Sequence, residues 1–127
     1  MSRPTINFAS VTLDCPNQEE LADFYAALLS WNKNRFDEEW LGVISPDRLI
    51  CLLFQEINDY VPPVWPNEKG SQQQMTHLDF ASKPEERETV TSHALSCGAT
   101  LASVQYFAHS TVFIDPAGHP FCIGFWG

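Results

Sequence analysis

One pattern occurs twice in this chain, and it constrains the fold more than any other feature. Ser10-Val11-Thr12-Leu13-Asp14 alternates polar and apolar residues, then passes through Pro16-Asn17 into an amphipathic stretch ending Ala27-Leu28-Leu29-Ser30-Trp31. About 66 residues further on, His77-Leu78-Asp79-Phe80 alternates in the same way. It then passes through Lys83-Pro84-Glu85 into His93-Ala94-Leu95-Ser96-Cys97. Alternation of period two marks a half-buried strand, and an apolar stripe of helical period marks an amphipathic helix. Each half therefore opens strand then helix, and short apolar runs that read as strands follow. A duplicated module whose first strands each offer a polar face implies two half-sheets closing around one shared cleft.

Within each half the details support this reading. Val11, Leu13 and Cys15 fall on one strand face, with Ser10, Thr12 and Asp14 on the other. Residues 6–15 form the expected strand. Asn17 suits a helix N-cap, with Glu20 three residues on. Leu21, Phe24, Tyr25 and Leu28 then make an i, i+3, i+4, i+7 stripe in a helix that stops near Ser30. Strands are expected near 31–36, 40–45 and 49–56, with Pro46-Asp47 as a tight turn. The second half repeats the order: a strand at 75–81, a capping pair Ser82 and Glu85, a helix running to Cys97, and Gly98 as its stop. Strands at 100–106, 111–115 and 119–125 complete it, the last two joined by an Asp115-Pro116-Ala117-Gly118 turn.

Between the halves the pattern breaks. Pro62, Pro63, Pro66, Gly70 and the run Gln72-Gln73-Gln74 exclude regular structure, yet Tyr60, Val64 and Trp65 are too apolar for a plain linker. Loops of this length in small domains are often lids or binding loops. Tyr60 or Trp65 is thus expected at the mouth of a cleft that includes His77, although a simple connector is the competing reading. The chain divides into module one (about 6–57), a linking loop (about 58–74) and module two (about 75–127), all within one domain of 127 residues.

Composition narrows the partners. Sixteen acidic against seven basic residues give a net charge of −9, which repels a phosphate backbone and excludes nucleic acid. No apolar run approaches the roughly 20 residues of a membrane span. The opening Met1-Ser2-Arg3-Pro4-Thr5 lacks the apolar core of a signal peptide, so a cytoplasmic protein without membrane contact is expected. Cys15, Cys51, Cys97 and Cys122 are scattered and read as free thiols rather than disulfides or a zinc cage.

The chain resembles the vicinal oxygen chelate superfamily, which includes glyoxalase I, bleomycin-resistance proteins and extradiol dioxygenases, and in particular its uncharacterised glyoxalase-like branch. The residues that carry the resemblance are Val11-Thr12-Leu13-Asp14-Cys15-Pro16, Phe24-Tyr25-Ala26-Ala27-Leu28-Leu29-Ser30-Trp31, His77-Leu78-Asp79-Phe80 and Asp115-Pro116-Ala117-Gly118-His119-Pro120-Phe121. It implies an α+β fold of two βαβββ modules forming a curved mixed sheet around a cleft, and a homodimer. In family members that use a metal, ligands come from four strands. The matching positions here are Ser10, about Leu52, His77 and Cys122, of which only His77 is a usual ligand type. The family's hard or borderline octahedral ions need several O and N ligands. No cofactor is therefore expected, and a divalent metal is not supported by this ligand set.

The resemblance implies a small-molecule ligand held in the cleft. Candidate ligand-binding residues are Ser10, Thr12, Phe54, Tyr60, Trp65, His77 and Cys122, with Trp126 as a further cleft wall. His77 is a candidate ligand contact, general base or metal ligand, with Asp79 two residues on to orient its ring; the competing reading is a histidine merely satisfied by Asp79. Cys122 is either a thiolate activated by His77 or an inert thiol. His119 is explained by its turn, and His93 and His109 read as solvated. Two functions follow: a binder of a small, partly apolar molecule, and alternatively a lyase or isomerase using His77 and Asp79, with a metal as an option.

Overall fold

The computed structural model describes residues 3–127. Helix α1, Gln18–Leu29, begins where Asn17 leaves the extended backbone at φ −146° and its side chain accepts the Glu20 amide. The helix ends at Ser30, which takes the left-handed conformation at φ 57° and returns its amide to the Ala26 carbonyl. Leu21, Phe24, Tyr25 and Leu28 are buried, as the stripe requires.

Around this helix lie strands β1 Val11–Cys15, β2 Asn32–Arg35, β3 Leu41–Ile44 and β4 Cys51–Glu56. They form a four-stranded sheet in the order β1-β4-β3-β2, with β1 parallel to β4. The second half repeats the plan with β5 Leu78–Ser82, α2 Arg87–Cys97, β6 Thr100–Leu101, β7 Ser110–Ile114 and β8 Pro120–Phe125. Its order is β5-β8-β7-β6, with β5 parallel to β8. Two βαβββ modules of an α+β fold are thus present. They remain two separate four-stranded sheets, with β1 and β5 in different ones, where the sequence suggested one curved sheet. No helix among the described residues is long and apolar enough to cross a membrane.

Several elements are shorter than the sequence pattern suggests, each for a local reason. Residues 6–10 are not strand, because β4 starts at Cys51 opposite the first residues of β1 and offers nothing earlier to pair with; Ile6 and Phe8 are left exposed. Residues 75–77 precede β5 because Met75 takes a positive φ of 61°, which breaks an extended run. β6 stops at Leu101 because a side chain replaces the ladder. The Gln105 amide donates to the Val112 and Ala102 carbonyls and accepts the Val112 N–H. The expected Ser82 cap does not form. Ser82 donates instead to Glu86, and a 3₁₀ turn over Pro84–Glu86 precedes the helix.

One core runs through both modules, from Leu13 and Leu21 to Phe113 and Ile123. Its centre is aromatic. Tyr25 stacks on Phe54 at 5.7 Å and meets Phe121 edge-on at 6.1 Å, so one helical residue touches both sheets. His93 Nε2 lies 3.0 Å from the Leu28 carbonyl, joining the two helices rather than standing in solvent.

The Tyr25 hydroxyl donates to Asp115 Oδ2 at 2.7 Å in the interior. Tyr25→Phe should keep the ring packing but remove this bond, costing about 1.5–3 kcal/mol of stability. Urea unfolding would measure it, and a loss below about 0.5 kcal/mol would show that the bond matters little. Burial, aided by the charges of Glu56, Asp115 and Asp14, raises the Cys15 thiol from 9.0 to about 12. The unfolded chain loses this proton first, so the contribution is complete below pH 9 and is lost as pH rises to about 12. The urea midpoint should therefore fall across that window, and less steeply in Cys15→Ala. Equal slopes in both proteins would exclude Cys15 as a source of the alkaline loss.

Candidate functional site

β5 and β8 run parallel in the register Asp79↔Cys122, with Leu78 opposite Phe121 and Phe80 opposite Ile123. Successive strand residues point to opposite faces. Leu78, Phe80, Phe121 and Ile123 therefore turn into the core, and Asp79 and Cys122 emerge side by side on the other face. His77 joins them from the residue before β5. The ligand atoms of His77, Asp79 and Cys122 all lie within 4.8 Å of one another. His77 Nε2 stands 3.3 Å from Asp79 Oδ1, and both side chains are open to solvent at 44% and 61%.

Trp126 borders this group. A Cβ built on Gly124, two residues beyond Cys122 and on the same face, would fall 1.8 Å from the Trp126 ring. Gly124 thus makes room for an indole laid flat on the strand, and that indole is 63% exposed. At the other end of the group, Asn67, Gln73, Gln74, Met75, Thr76 and His77 line a hollow of about 360 Å³. A larger hollow of about 580 Å³ is confined to the loop 67–73.

The electrostatics oppose an activated nucleophile. Burial, then the Asp79 charge and the hydrogen bond to it, pushes the Cys122 thiol above its ordinary value. These causes all disfavour the thiolate form that an activated nucleophile would use.

Phe54, Tyr60 and Trp65 lie elsewhere. Phe54 has no exposed surface and stacks on Tyr25 in the core, because the outward positions of β4 flank it rather than include it. Leu52 is buried for the same reason. Thr12 does lie on the outward face of β1, opposite Leu53, and Ser10 is partly exposed just before that strand. Tyr60 packs against the core, donates to the Ala117 carbonyl and lies 3.2 Å from His119 Nε2. Trp65 donates its indole N–H to the Val104 carbonyl and meets Tyr106 edge-on. That places it beyond β6, at the opposite edge of the sheet from β5. Neither aromatic lines the hollow at His77.

The structure also assembles a second polar group that the sequence concealed. The Asp115 side chain, with no exposed surface, accepts from Tyr25, from the backbone amides of Ala117 and His119, and approaches His119 Nδ1 at 2.8 Å. Its only sequence trace was the turn motif, which accounted for Asp115 without hinting at a partner 90 residues away.

The residues fail to fit the metal that the fold family implies. Leu52 is in the core, Ser10 offers only a neutral hydroxyl, and Cys122 replaces a hard oxygen donor with sulfur. An octahedral hard ion finds no adequate set here.

A family model described as a glyoxalase-like domain matches residues 10–124. No curated protein matches the chain. Solved structures share the fold. A glyoxalase/bleomycin resistance protein/dioxygenase family enzyme from Burkholderia phytofirmans PsJN superposes with a TM-score of 0.67 at 15% identity, covering 92% of this chain and 96% of that one. The oxidase ChaP-H2 gives 0.68 at 16% identity, covering 98% and 96%. The fosfomycin resistance protein FosX from Listeria monocytogenes gives 0.64 at 12% identity, covering 95% and 92%. The chain belongs to the glyoxalase-like domain family.

Proposed function

We propose that the protein binds a small, partly apolar molecule on the face shared by β5 and β8. The observation that supports this reading is the convergence of His77, Asp79 and Cys122 within 4.8 Å, beside the exposed Trp126 indole. Small-molecule sites typically pair an aromatic wall with a few polar groups that fix orientation. Asp79 and the chain's charge of −9 favour a ligand that is neutral or cationic and carries hydrogen-bond donors. Gln73, Gln74 and Thr76 extend the polar surface into the adjoining hollow. Action in the cytoplasm as a homodimer belongs to the same reading, and exposed Ile6 and Phe8 supply apolar surface for association.

A second reading, a lyase or isomerase reaction with His77 as general base, draws on the 3.3 Å approach of Asp79, which can orient the ring. The two readings differ in one measurement. A binder returns its ligand unchanged after prolonged incubation, and an enzyme does not.

A thermal-shift screen of small neutral and cationic aromatic or heterocyclic compounds should yield ligands that raise the melting temperature. Trp126→Ala and His77→Ala should each weaken those ligands at least tenfold, about 1.4 kcal/mol. Both side chains are substantially exposed. Each substitution should therefore cost less than about 2 kcal/mol of stability. Ligands that bind both variants as tightly as the parent would place the site elsewhere.

A further inference from the structure

Tyr60 ties the linking loop to the β7–β8 turn through one hydroxyl, and that hydroxyl meets two groups. Its oxygen lies 2.8 Å from the Ala117 carbonyl and 3.2 Å from His119 Nε2. We propose that the second ring proton of His119 fastens the loop. While the ring is doubly protonated Tyr60 is held at both contacts, and as that proton leaves one of the two is given up. The fastening lies away from the β5–β8 face and does not depend on a ligand there.

Counting hydrogens leads to this. A neutral imidazole carries one N–H and an imidazolium two, a phenol carries one O–H, and a carbonyl only accepts. Asp115 accepts from Tyr25 and from the amides of Ala117 and His119, so its oxygens act as acceptors. His119 Nδ1 stands 2.8 Å from Asp115 Oδ2, and one ring proton therefore belongs on Nδ1. In the neutral ring Nε2 is then a bare acceptor. The Ala117 carbonyl is another, and the single Tyr60 hydrogen cannot serve both. In the protonated ring the Nε2–H donates to the Tyr60 oxygen, whose own hydrogen goes to Ala117. Every polar hydrogen of the group then has an acceptor, and the folded chain has one more hydrogen bond than with the neutral ring.

Charge points the same way. The Asp115 side chain has no exposed surface and the His119 side chain only 12%. The titratable groups packed around them are Tyr25 from α1, Asp14 and Cys15 from β1, Glu56 from β4 and Tyr60 from the loop, and none is basic. Among the described residues no lysine or arginine pairs with Asp115, so a protonated His119 is its counter-charge. Burial and the Asp115 charge hold the hydroxyl protons on Tyr25 and Tyr60, which leaves the imidazole to change state. Imidazoles ordinarily do so between about pH 5 and 8. The fastening is thus complete on the acid side and weakens as pH rises and the ring proton leaves. Pro62 packs against Gly118 of the same turn, so movement of Tyr60 is passed along the loop.

The test follows the full chain from about pH 5 to 8 by two measurements. Ring-nitrogen NMR should show His119 passing from two N–H groups to one, with the remaining proton on Nδ1. Hydrogen-exchange protection of the Tyr60, Val61 and Val64 amides, corrected for intrinsic exchange, should fall at least tenfold over the same titration, while α1 keeps its protection. In Tyr60→Phe and in His119→Gln the loop should be weakly protected throughout and the pH dependence should disappear. Loop protection that stays constant while the ring titrates overturns the proposal. So does a ring that does not change protonation across the window, or a neutral ring whose proton sits on Nε2. A loss shared equally by α1 marks global destabilisation and overturns it too, as does a pH dependence that survives in Tyr60→Phe. If His119→Gln does not fold, the ring spectra of the parent and the Tyr60→Phe profile decide the matter.

Discussion

The Asp115 carboxylate, buried without exposed surface, holds this molecule together across its internal repeat. A buried charge is tolerable only when its oxygens are fully hydrogen-bonded. Here the partners come from two places, and a relay reaches a third. Tyr25 lies in the helix of module one, the amides of Ala117 and His119 lie in the β7–β8 turn, and His119 relays onward to Tyr60 in the linking loop. One carboxylate therefore ties both modules and their connection. The Tyr25 ring does the same in apolar terms by touching Phe54 of one sheet and Phe121 of the other. Two sheets that share no ladder need such a link. Apart from it, the polar links between the halves are few, such as that of His93 to the Leu28 carbonyl.

That anchoring divides β5 and β8 into two working faces. Leu78, Phe80, Phe121 and Ile123 are committed to the core, which fixes the strands in register and leaves Asp79 and Cys122 no choice but to project together. The positions of the candidate site are thus consequences of core packing one residue away. Gly124 extends the logic, because the absent side chain lets Trp126 lie against the strand beside Cys122.

Much of this was legible from residue pattern. The repeat announced two modules, Asn17 and Gly98 marked helix ends, and the Asp115–Gly118 turn formed with Gly118 at φ 94°. The period-two alternation also placed Asp79 on the face opposite the core. Strand ends were less legible, because pairing partners decide them. Nothing in residues 6–10 says that β4 begins too late to reach them, and nothing in Gln105 says that its amide will stand in for a backbone ladder. The site was readable only in part. His77 and Asp79 are close in sequence, but their neighbour Cys122 is brought in by strand pairing. Phe54 looked like a cleft aromatic, and only the register of β4 shows that it faces Tyr25.

The linking loop shows how an aromatic segment acquires a role that composition does not predict. Its prolines stiffen the chain, and the stiffness is used to fasten the loop rather than to close it over a cleft. Pro62 sits so close to the β7–β8 turn that a Cβ on Gly118 would be 2.7 Å from its Cβ. Tyr60 is held at the core side of that turn, and Trp65 at the far edge beyond β6. With both aromatics fixed, only the last leg of the loop remains to shape the neighbourhood of His77, and that leg is amide-rich: Asn67, Gln73 and Gln74. The aromatic surface at the site comes instead from Trp126, at the end of the strand that carries Cys122. Polar wall and aromatic wall thus flank the His77–Asp79–Cys122 group from opposite ends, one supplied by the loop and the other by β8. A ligand spanning them would meet hydrogen-bonding amides at one end, a flat apolar ring at the other, and an acidic, sulfur-bearing centre between.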